Sequence, residues 1–312
     1  MSQSFLRVAA LAGGVGGARL VYGLANRLPA GNLSVIVNIG DDFEHLGLRI
    51  CPDLDTVCYT LAGLENPKTG WGLLGETWNA LESLEKLGGP AWFRIGDRDL
   101  GTHLERTRRL RNGQSLSQVT RRFCQAWGIG ITILPASDDN VPTWVYTEEG
   151  DMPFQEYFVH HQCHPIVKGF RFEGCDQASP APGVVDAIQE ADLIVICPSN
   201  PWVSIDPILA IPGIRQMLES RPVLAVSPII GGKAVKGPAA KMYSELDIQP
   251  SAAAVAEHYH GLLSGFVLDN VDKDLASKIG IPTLTTDTLM NSLTKRVKLA
   301  GDVLNFIRRI DK

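Results

Sequence analysis

The chain has 312 residues, of which 45% are hydrophobic and 20% charged. This composition is typical of a folded globular protein and excludes a disordered, collagen-like or coiled-coil chain. The formal net charge of -5 argues against a nucleic-acid-binding protein, because binding to phosphate backbones depends on clustered lysines and arginines. Six cysteines without a C-x-x-C pair fit a reducing cytoplasm, and we expect neither an export signal nor a membrane span.

The first elements along the chain are predicted to be a strand, a glycine-rich loop and a helix. An apolar run at 6–12 ends in glycines, and 18–28 shows the spacing of an amphipathic helix. The loop glycines are Gly13, Gly14, Gly16 and Gly17. Because glycines let backbone N–H groups approach a ligand closely, the loop predicts a phosphate site, although it matches neither standard nucleotide motif. A tight turn without a ligand is the alternative.

A second strand, at 33–37, ends in Asn38-Ile39-Gly40-Asp41-Asp42, and Asp53 and Asp55 follow shortly afterwards. These carboxylates predict a site for a hard cation such as Mg²⁺, or a group that accepts a proton from an attacking hydroxyl. Helix capping and turn formation by aspartate is the alternative explanation.

The segment from about 70 to 175 is predicted to be an insertion with helices followed by strands. The predicted helices are 76–88, 100–111 and 115–127, and the predicted strands are 92–95, 131–134, 143–147, 154–160 and 170–172. In Gly96-Asp97-Arg98-Asp99, the arginine is either an ion-paired structural residue or a ligand clamp. For the cluster His160, His161, Cys163 and His164 we expect a structural or surface role, because its spacing suits no common zinc site.

After residue 182, strands and helices alternate again. The predicted helices are 183–190, 206–219, 251–263 and 288–309, and the predicted strands are 193–197, 223–227, 266–268 and 282–285. This alternation predicts an α/β fold: one Rossmann-like domain over 1–312, with a parallel sheet between two helix layers and ligands at the carboxyl ends of the strands. Loops after two strands add candidate nucleotide-binding residues: Ser199, Asn200, Pro201, Ser204, Ile229, Gly231, Gly232 and Lys233.

These loops together resemble those of the CofD family, called FbiA in actinobacteria, the 2-phospho-L-lactate transferases of coenzyme F420 biosynthesis. The resemblance extends from end to end of the chain. The matching segments are LAGGVGGARL (11–20), VNIGDDFEHLGLRICPDLDTVCYTL (37–61), GWGLLGETW (70–78), WFRIGDRDLGTHLERT (92–107), LPASDD (134–139), SNPWVSIDPILAIPGIR (199–215) and SPIIGGKAVKGPA (227–239).

The resemblance implies an enzyme that transfers 2-phospho-L-lactate or phosphoenolpyruvate from its guanosine-diphosphate-activated form to the deazaflavin FO. GMP leaves, and F420-0 or dehydro-F420-0 forms. The resemblance also implies a Mg²⁺ requirement and a homodimer. The sequence does not decide between phospholactate, phosphoenolpyruvate and phosphoglycerate as the transferred acid.

Roles for individual residues follow from the loops and the resemblance together. We expect catalysis by Asp41, Asp42 and Lys233, with Asp42 as the chief metal ligand and Asp55 as a weaker one. The residues expected to contact FO are Asn38, Gly40, Asp41, Asp97, Arg98 and Asp99. The alternative function is that of a sugar-nucleotide-binding regulator resembling the YvcK-like family, without transfer chemistry, because a fold alone does not prove catalysis.

Overall fold

The computed structural model describes residues 6–310, which form strands and helices in alternation. The strands are β1 (Val8–Ala12), β2 (Leu33–Val37), β3 (Phe43–His45), β4 (Leu48–Ile50), β5 (Thr132–Pro135), β6 (Thr143–Thr147), β7 (Gly150–Pro153), β8 (Val167–Phe172), β9 (Leu193–Ile196), β10 (Val223–Val226), β11 (Ile229–Ile230), β12 (Lys233–Ala234), β13 (Gly265–Asp269) and β14 (Thr283–Thr286). The helices are α1 (Gly14–Ala25), α2 (Pro52–Ala62), α3 (Asn79–Lys86), α4 (Asp97–Arg111), α5 (Leu116–Ala126), α6 (Val184–Gln189), α7 (Asp206–Leu209), α8 (Ile214–Leu218), α9 (Ala239–Glu245), α10 (Ala252–His258) and α11 (Leu293–Ile310).

Seven strands form one parallel sheet in the order β14-β13-β10-β9-β1-β2-β5. Every residue of β1, β9, β10 and β13 is buried, which requires cover on both faces of the sheet. Helix α1 packs against α2 and α11. The predicted parallel α/β fold is therefore confirmed, and the strands' carboxyl ends all lie at one edge.

Three small antiparallel sheets accompany the central one: β3–β4, β11–β12 and β7-β6-β8. Strand β5 lies within the predicted insertion but joins the central sheet beside β2, so the insertion is interrupted by a core strand. None of the helices within 6–310 is long and apolar enough to span a lipid bilayer.

Local structure departs from the sequence prediction at three segments. The segment 154–160 is not a strand; Glu156–His160 is a π-helix, which buries Tyr157. Residues 92–95 form no strand; the rings of Trp92 and Phe93 pack against Phe43 instead. The single helix predicted over 206–219 is divided into α7 and α8, because Pro212 and Gly213, with a φ of 84°, interrupt it.

Helices α1 and α11 are in close contact at Gly23. A Cβ at this position would lie 2.2 Å from the carbonyl oxygen of Arg296 and 3.0 Å from Ala300 Cβ. The close contact between these helices therefore depends on the missing side chain.

We predict that Gly23→Ala lowers the free energy of unfolding by about 1–3 kcal/mol, the usual cost of overpacking. Gly101→Ala is the matched control, because Gly101 is also in a helix but has open space around its Cβ position; it should stabilise the protein by up to about 1 kcal/mol. Urea unfolding of both variants measures the difference, and equal effects would contradict the prediction.

Candidate functional site

The loops that follow β1, β2 and β9 meet at the N-terminus of α1. Ser199 Oγ accepts a hydrogen bond from Gly13 N at 3.0 Å and donates to Gly13 O at 2.7 Å. Gly14 N donates to Asp53 Oδ1 at 2.6 Å. A Cβ on Gly13 would lie 2.3 Å from Asp53 Oδ2 and 2.7 Å from Ser204 Cβ. The structure thus brings the predicted glycine loop, Ser199 and Ser204 together with Asp53.

The start of α1 retains donors for an anion. The first four N–H groups of a helix, here those of residues 13–16, have no partner within the helix. Those of Gly13 and Gly14 are bonded to Ser199 and Asp53, which leaves Val15 and Gly16. Gly16 also packs tightly, because a Cβ there would lie 2.2 Å from the carbonyl oxygen of Pro198. An anion at this helix end would therefore bind to two N–H groups and the positive end of the helix dipole.

Four carboxylates are buried beside this helix end: Asp41, Asp42, Asp53 and Asp55. Asn38 Nδ2 donates to Asp53 Oδ2 at 3.0 Å, and Gln155 Nε2 donates to Asp41 Oδ2 at 3.2 Å. Burial, followed by the nearby charge of Asp53, raises the pKa of Asp41 well above its usual range. Burial also raises the pKa values of Asp42 and Asp53 to about 6. The protein therefore concentrates negative charge that its own groups neutralise only in part.

Two arginines neutralise part of this charge. Arg49 Nη2 lies 3.2 Å from Asp42 Oδ2, and Arg106 forms a buried ion pair with Asp55. Within the described part of the chain, Asp42 Oδ1 and Asp55 Oδ2 are buried without a hydrogen-bond partner. Buried carboxylate oxygens without partners are costly and suit a hard divalent cation. Asp42 and Asp55 thus each have an oxygen that fits the predicted metal site.

The motif Gly96-Asp97-Arg98-Asp99 lies at the start of α4, and its side chains form hydrogen bonds with neighbouring residues of the protein. Asp97 accepts from Thr77 Oγ1 at 2.6 Å and from Asn79 N at 3.0 Å, at the start of α3. These bonds hold the pKa of Asp97 well below its usual range.

The other two side chains of this motif are also bonded to the protein. Asp99 Oδ1 accepts from Tyr59 OH at 2.6 Å, and Arg98 Nη1 donates to Leu74 O at 2.5 Å. Contacts between FO and Asp97, Arg98 or Asp99 stay a prediction.

The loop that follows β10 reaches the glycine loop through Lys236. Lys236 Nζ donates to Thr69 O, and a Cβ on the adjacent Gly70 would lie 2.8 Å from Val15 Cγ1 and 3.1 Å from Lys236 Nζ. The sequence has two lysines in this loop, and Lys233 is the one predicted to take part in catalysis. The structure instead places Lys236 beside the start of α1.

Lys233 lies in a different environment, on the β11–β12 hairpin. It is exposed and lines a cavity of about 360 Å³ together with Asp269, Val271, Asp287 and Leu289. Gly231 N donates to Asp272 Oδ2 at 2.9 Å, which fixes the hairpin against the segment after β13. The cavity, at the carboxyl ends of β13 and β14, is large enough for a nucleoside.

The loop after β9 supports its neighbours through its own polar atoms. Asn200 Oδ1 accepts from Trp202 N at 3.0 Å and caps the π-helix Pro201–Ile205. Ser199 is bonded to Gly13 as described. Both side chains therefore hold the loop in place, and Pro201 and Ile229 are buried.

An aromatic cluster that sequence reasoning missed lies directly after Asp42. It consists of Phe43, His45, Trp92 and Phe93, with ring centroids 4.8 Å apart for Phe43–Phe93 and 5.1 Å apart for His45–Trp92. Phe43, Trp92 and Phe93 are half-buried. Aromatic residues at 43 and 92–93, each beside an acidic motif, were the available signal. Half-exposed rings offer a surface on which a planar ligand stacks.

The histidine cluster is divided by the structure. Ligand atoms of Glu156, His160 and His161 lie within 4.8 Å of one another, and His160 stacks on Trp92 at 5.3 Å. Cys163 and His164 do not belong to this group. His160 is exposed, and Glu156 and His161 are half-buried; a structural or surface role for the cluster stays a prediction.

We predict that the protein loses stability as the pH rises from 4.5 to 7.5 in the presence of EDTA. Asp41, Asp42 and Asp53 have folded pKa values above the usual carboxyl value of 3.8. The contribution of Asp42 and Asp53 is therefore fully present below that value and lost as the pH rises through about 6, and the contribution of Asp41 changes in the same direction.

Asp41→Asn should make this loss smaller, because the raised pKa of Asp41 contributes to it. Urea unfolding of both proteins at the two pH values measures it. The same loss in both proteins would remove Asp41 from the explanation.

Comparison with known proteins supplies the family. The family model described as 2-phospho-L-lactate transferase CofD matches residues 8–287. The chain is 42% identical over 316 residues to the "Phosphoenolpyruvate transferase" of Streptomyces coelicolor, with 98% of this chain and 99% of that protein covered. It is also 42% identical over 315 residues to the "Phosphoenolpyruvate transferase" of Nocardia farcinica, with 95% of each covered.

A solved structure supports the fold. The crystal structure of a member of the upf0052 family from Bacillus halodurans matches with a TM-score of 0.66 at 17% identity, covering 97% of this chain and 100% of that one. At this identity the likeness concerns the fold alone. The family match spans the carboxylate cluster and all the loops described above, and by it the chain belongs to the CofD family of 2-phospho-L-lactate transferases.

Proposed function

We propose that this transferase moves phosphoenolpyruvate from its guanosine-diphosphate-activated form to a hydroxyl of FO and releases GMP. The main support for this proposal is the cluster of buried carboxylates against the start of α1. It places acidic groups beside a helix end that can bind an anion. Phosphoenolpyruvate is preferred over 2-phospho-L-lactate and phosphoglycerate because relatives 42% identical over almost the whole chain carry that name. A cytoplasmic location and a homodimer stay predictions of the resemblance.

The reaction exchanges one phosphorus–oxygen bond for another. The ribityl hydroxyl oxygen of FO attacks the phosphorus that bears the acid, and the bond from that phosphorus to the bridging oxygen of GMP breaks. The electron pair of the broken bond leaves with GMP. We assign the hydroxyl proton to Asp41, because burial raises its pKa and so makes it a stronger base than an ordinary carboxylate, and no arginine of the described residues pairs with it.

The carboxylates fit a Mg²⁺ ion. We assign Asp42 as its chief ligand and Asp55 as a weaker one, since Asp42 Oδ1 and Asp55 Oδ2 are both buried without a hydrogen-bond partner among the described residues. Asp53 lies at the helix end where the diphosphate is proposed to bind. The negative charges of Asp53 and of the diphosphate therefore require a cation nearby. Asp55 is the weaker candidate because Arg106 already pairs with it. When bound, Mg²⁺ would stabilise negative charge on the diphosphate.

We assign the binding regions of the two substrates from the groups that lie near the carboxyl ends of the strands. The N–H groups of Val15 and Gly16 would hold the diphosphate, and the cavity beside Lys233 would hold the guanosine. The aromatic cluster next to Asp42 would stack with the deazaflavin ring, and Asn38 and Gly40, which are hydrogen-bonded to each other, would contact FO. This assignment gives each substrate a separate binding region.

The deciding experiment is incubation of the purified protein with FO and each of the three guanylylated acids in Mg²⁺ buffer. Mass spectrometry should detect the phosphodiester product with dehydro-F420-0 mass from the enolpyruvyl donor. Faster product formation from the lactyl or glyceryl donor would change the assigned acid. Binding of UDP-sugars without any transfer product would favour the regulatory alternative.

We predict that Asp42→Asn keeps the fold and lowers the transfer rate by about 10²-fold or more, the usual effect of removing one positioned electrostatic group. Asp302→Asn on α11 is the control, because its carboxylate bonds only Thr286 and Lys298 among the described hydrogen bonds. Single-turnover rates and melting temperatures of both variants test this. Near-normal turnover of Asp42→Asn at limiting Mg²⁺ would remove Asp42 from the mechanism.

A further inference from the structure

A cluster of three cations lies beside α1, beyond the glycine loop. It consists of Arg19 on α1, Arg296 on α11 and Lys236 after β12; besides burial, the charge of Arg19 lowers the pKa of Lys236, and the charge of Arg296 lowers that of Arg19. Within residues 6–310 the one carboxylate paired with it is Glu65, whose Oε1 lies 2.8 Å from Arg296 Nη2. The second oxygen of Glu65 accepts from Thr60 Oγ1 at 2.6 Å. The cluster therefore has two more positive charges than negative ones.

Several donors of this cluster are buried but unused. The Arg296 side chain is only 8% exposed, and its Nε and Nη1 have no hydrogen-bond partner among the described residues; nor does the buried Nε of Arg19. Burial, and then the charge of Arg296, lowers the pKa of Arg19. Buried guanidinium donors are normally paired, so these donors point to an anionic ligand.

The cluster is next to the proposed diphosphate site. Arg19 follows Val15 by four residues, so both lie on the same face of α1, one turn apart. The turn that contains Gly70 contacts both Val15 and Lys236, because a Cβ built on Gly70 would lie close to both side chains. Lys236 also donates a hydrogen bond to Thr69 O in the same turn. The Cα atoms of Val15 and Arg19 are about 6 Å apart along the helix axis, so the long side chain of Arg19 can bind an anion close to one held at Val15.

We propose that Arg19, Lys236 and Arg296 form a subsite for the carboxylate of the transferred acid; this inference rests on the proposed function. The activated acid carries one anionic group besides its diphosphate, and that carboxylate is joined to the reacting phosphorus through an oxygen and one carbon. A diphosphate at Val15 and Gly16 brings it within reach of a cluster one helix turn away. Guanidinium groups match a carboxylate with paired hydrogen bonds.

Isothermal titration without FO tests this binding step separately from transfer. The first ligand is the guanosine-diphosphate ester of enolpyruvate. The second is the guanosine-diphosphate ester of ethanol, which keeps the diphosphate but lacks the carboxylate. The wild type should bind the carboxylate ligand about tenfold to a hundredfold more tightly, the scale of charge-assisted hydrogen bonds. Arg19→Gln and Lys236→Met should reduce this preference to less than about fivefold and leave ethyl-ester binding within about threefold.

Lys168→Met is the matched control, because Lys168 is an exposed lysine on β8 of the small sheet, and it should keep the wild-type preference. Thermal melts establish whether each variant is folded. Because Lys236 is exposed, we expect Lys236→Met to keep the fold. Equal weakening of both ligands would assign the cluster to the diphosphate and overturn the proposal, as would an unchanged preference. A wild type that prefers the carboxylate but transfers nothing to FO would support the subsite and refute the proposed reaction. Failure to bind either ligand would refute both.

Discussion

The hydrogen bond from Gly14 N to Asp53 Oδ1 is the contact on which the site depends. It fixes the first N–H groups of α1 against the start of α2, and the neighbouring Gly13 leaves no space for a side chain beside Asp53 and Ser204. Loops after three different strands therefore meet within a few ångströms. A negative charge at a helix N-terminus is favourable by itself, but this one lies where a diphosphate is proposed to bind, so the same contact creates the requirement for a cation.

Charge is distributed unequally around this helix end. Four buried carboxylates are accompanied by two arginines, Arg49 and Arg106. Three cations are accompanied, among the described residues, by the carboxylate of Glu65. These two groups of opposite charge would orient an anionic substrate before any chemistry occurs, because interactions between partly buried charges are screened only weakly.

The predicted insertion helps to position the carboxylates. Arg106 and His103 of α4 contact Asp55, and His103 also lies 3.4 Å from Asp99, which accepts from Tyr59 of α2. Gln155 reaches Asp41 from the segment that precedes the π-helix. Removal of one member would leave a buried charge without its partner, which is costly. The motif at 96–99 begins α4 and so helps to position the helix that carries Arg106 and His103.

The sequence by itself determined the parallel α/β fold, the strand ends and the acidic and glycine-rich loops, because fully apolar strands and short loops are local patterns. The family resemblance was readable for the same reason, in contiguous motifs. The tertiary structure alone decided which neighbours each polar group has. It paired Asp55 with Arg106, used Asp97 as a cap for α3, and brought Lys236, rather than Lys233, to α1. It also assembled Arg19, Lys236 and Arg296 from three distant segments. Such contacts depend on packing between elements far apart in the chain, and no local pattern records them.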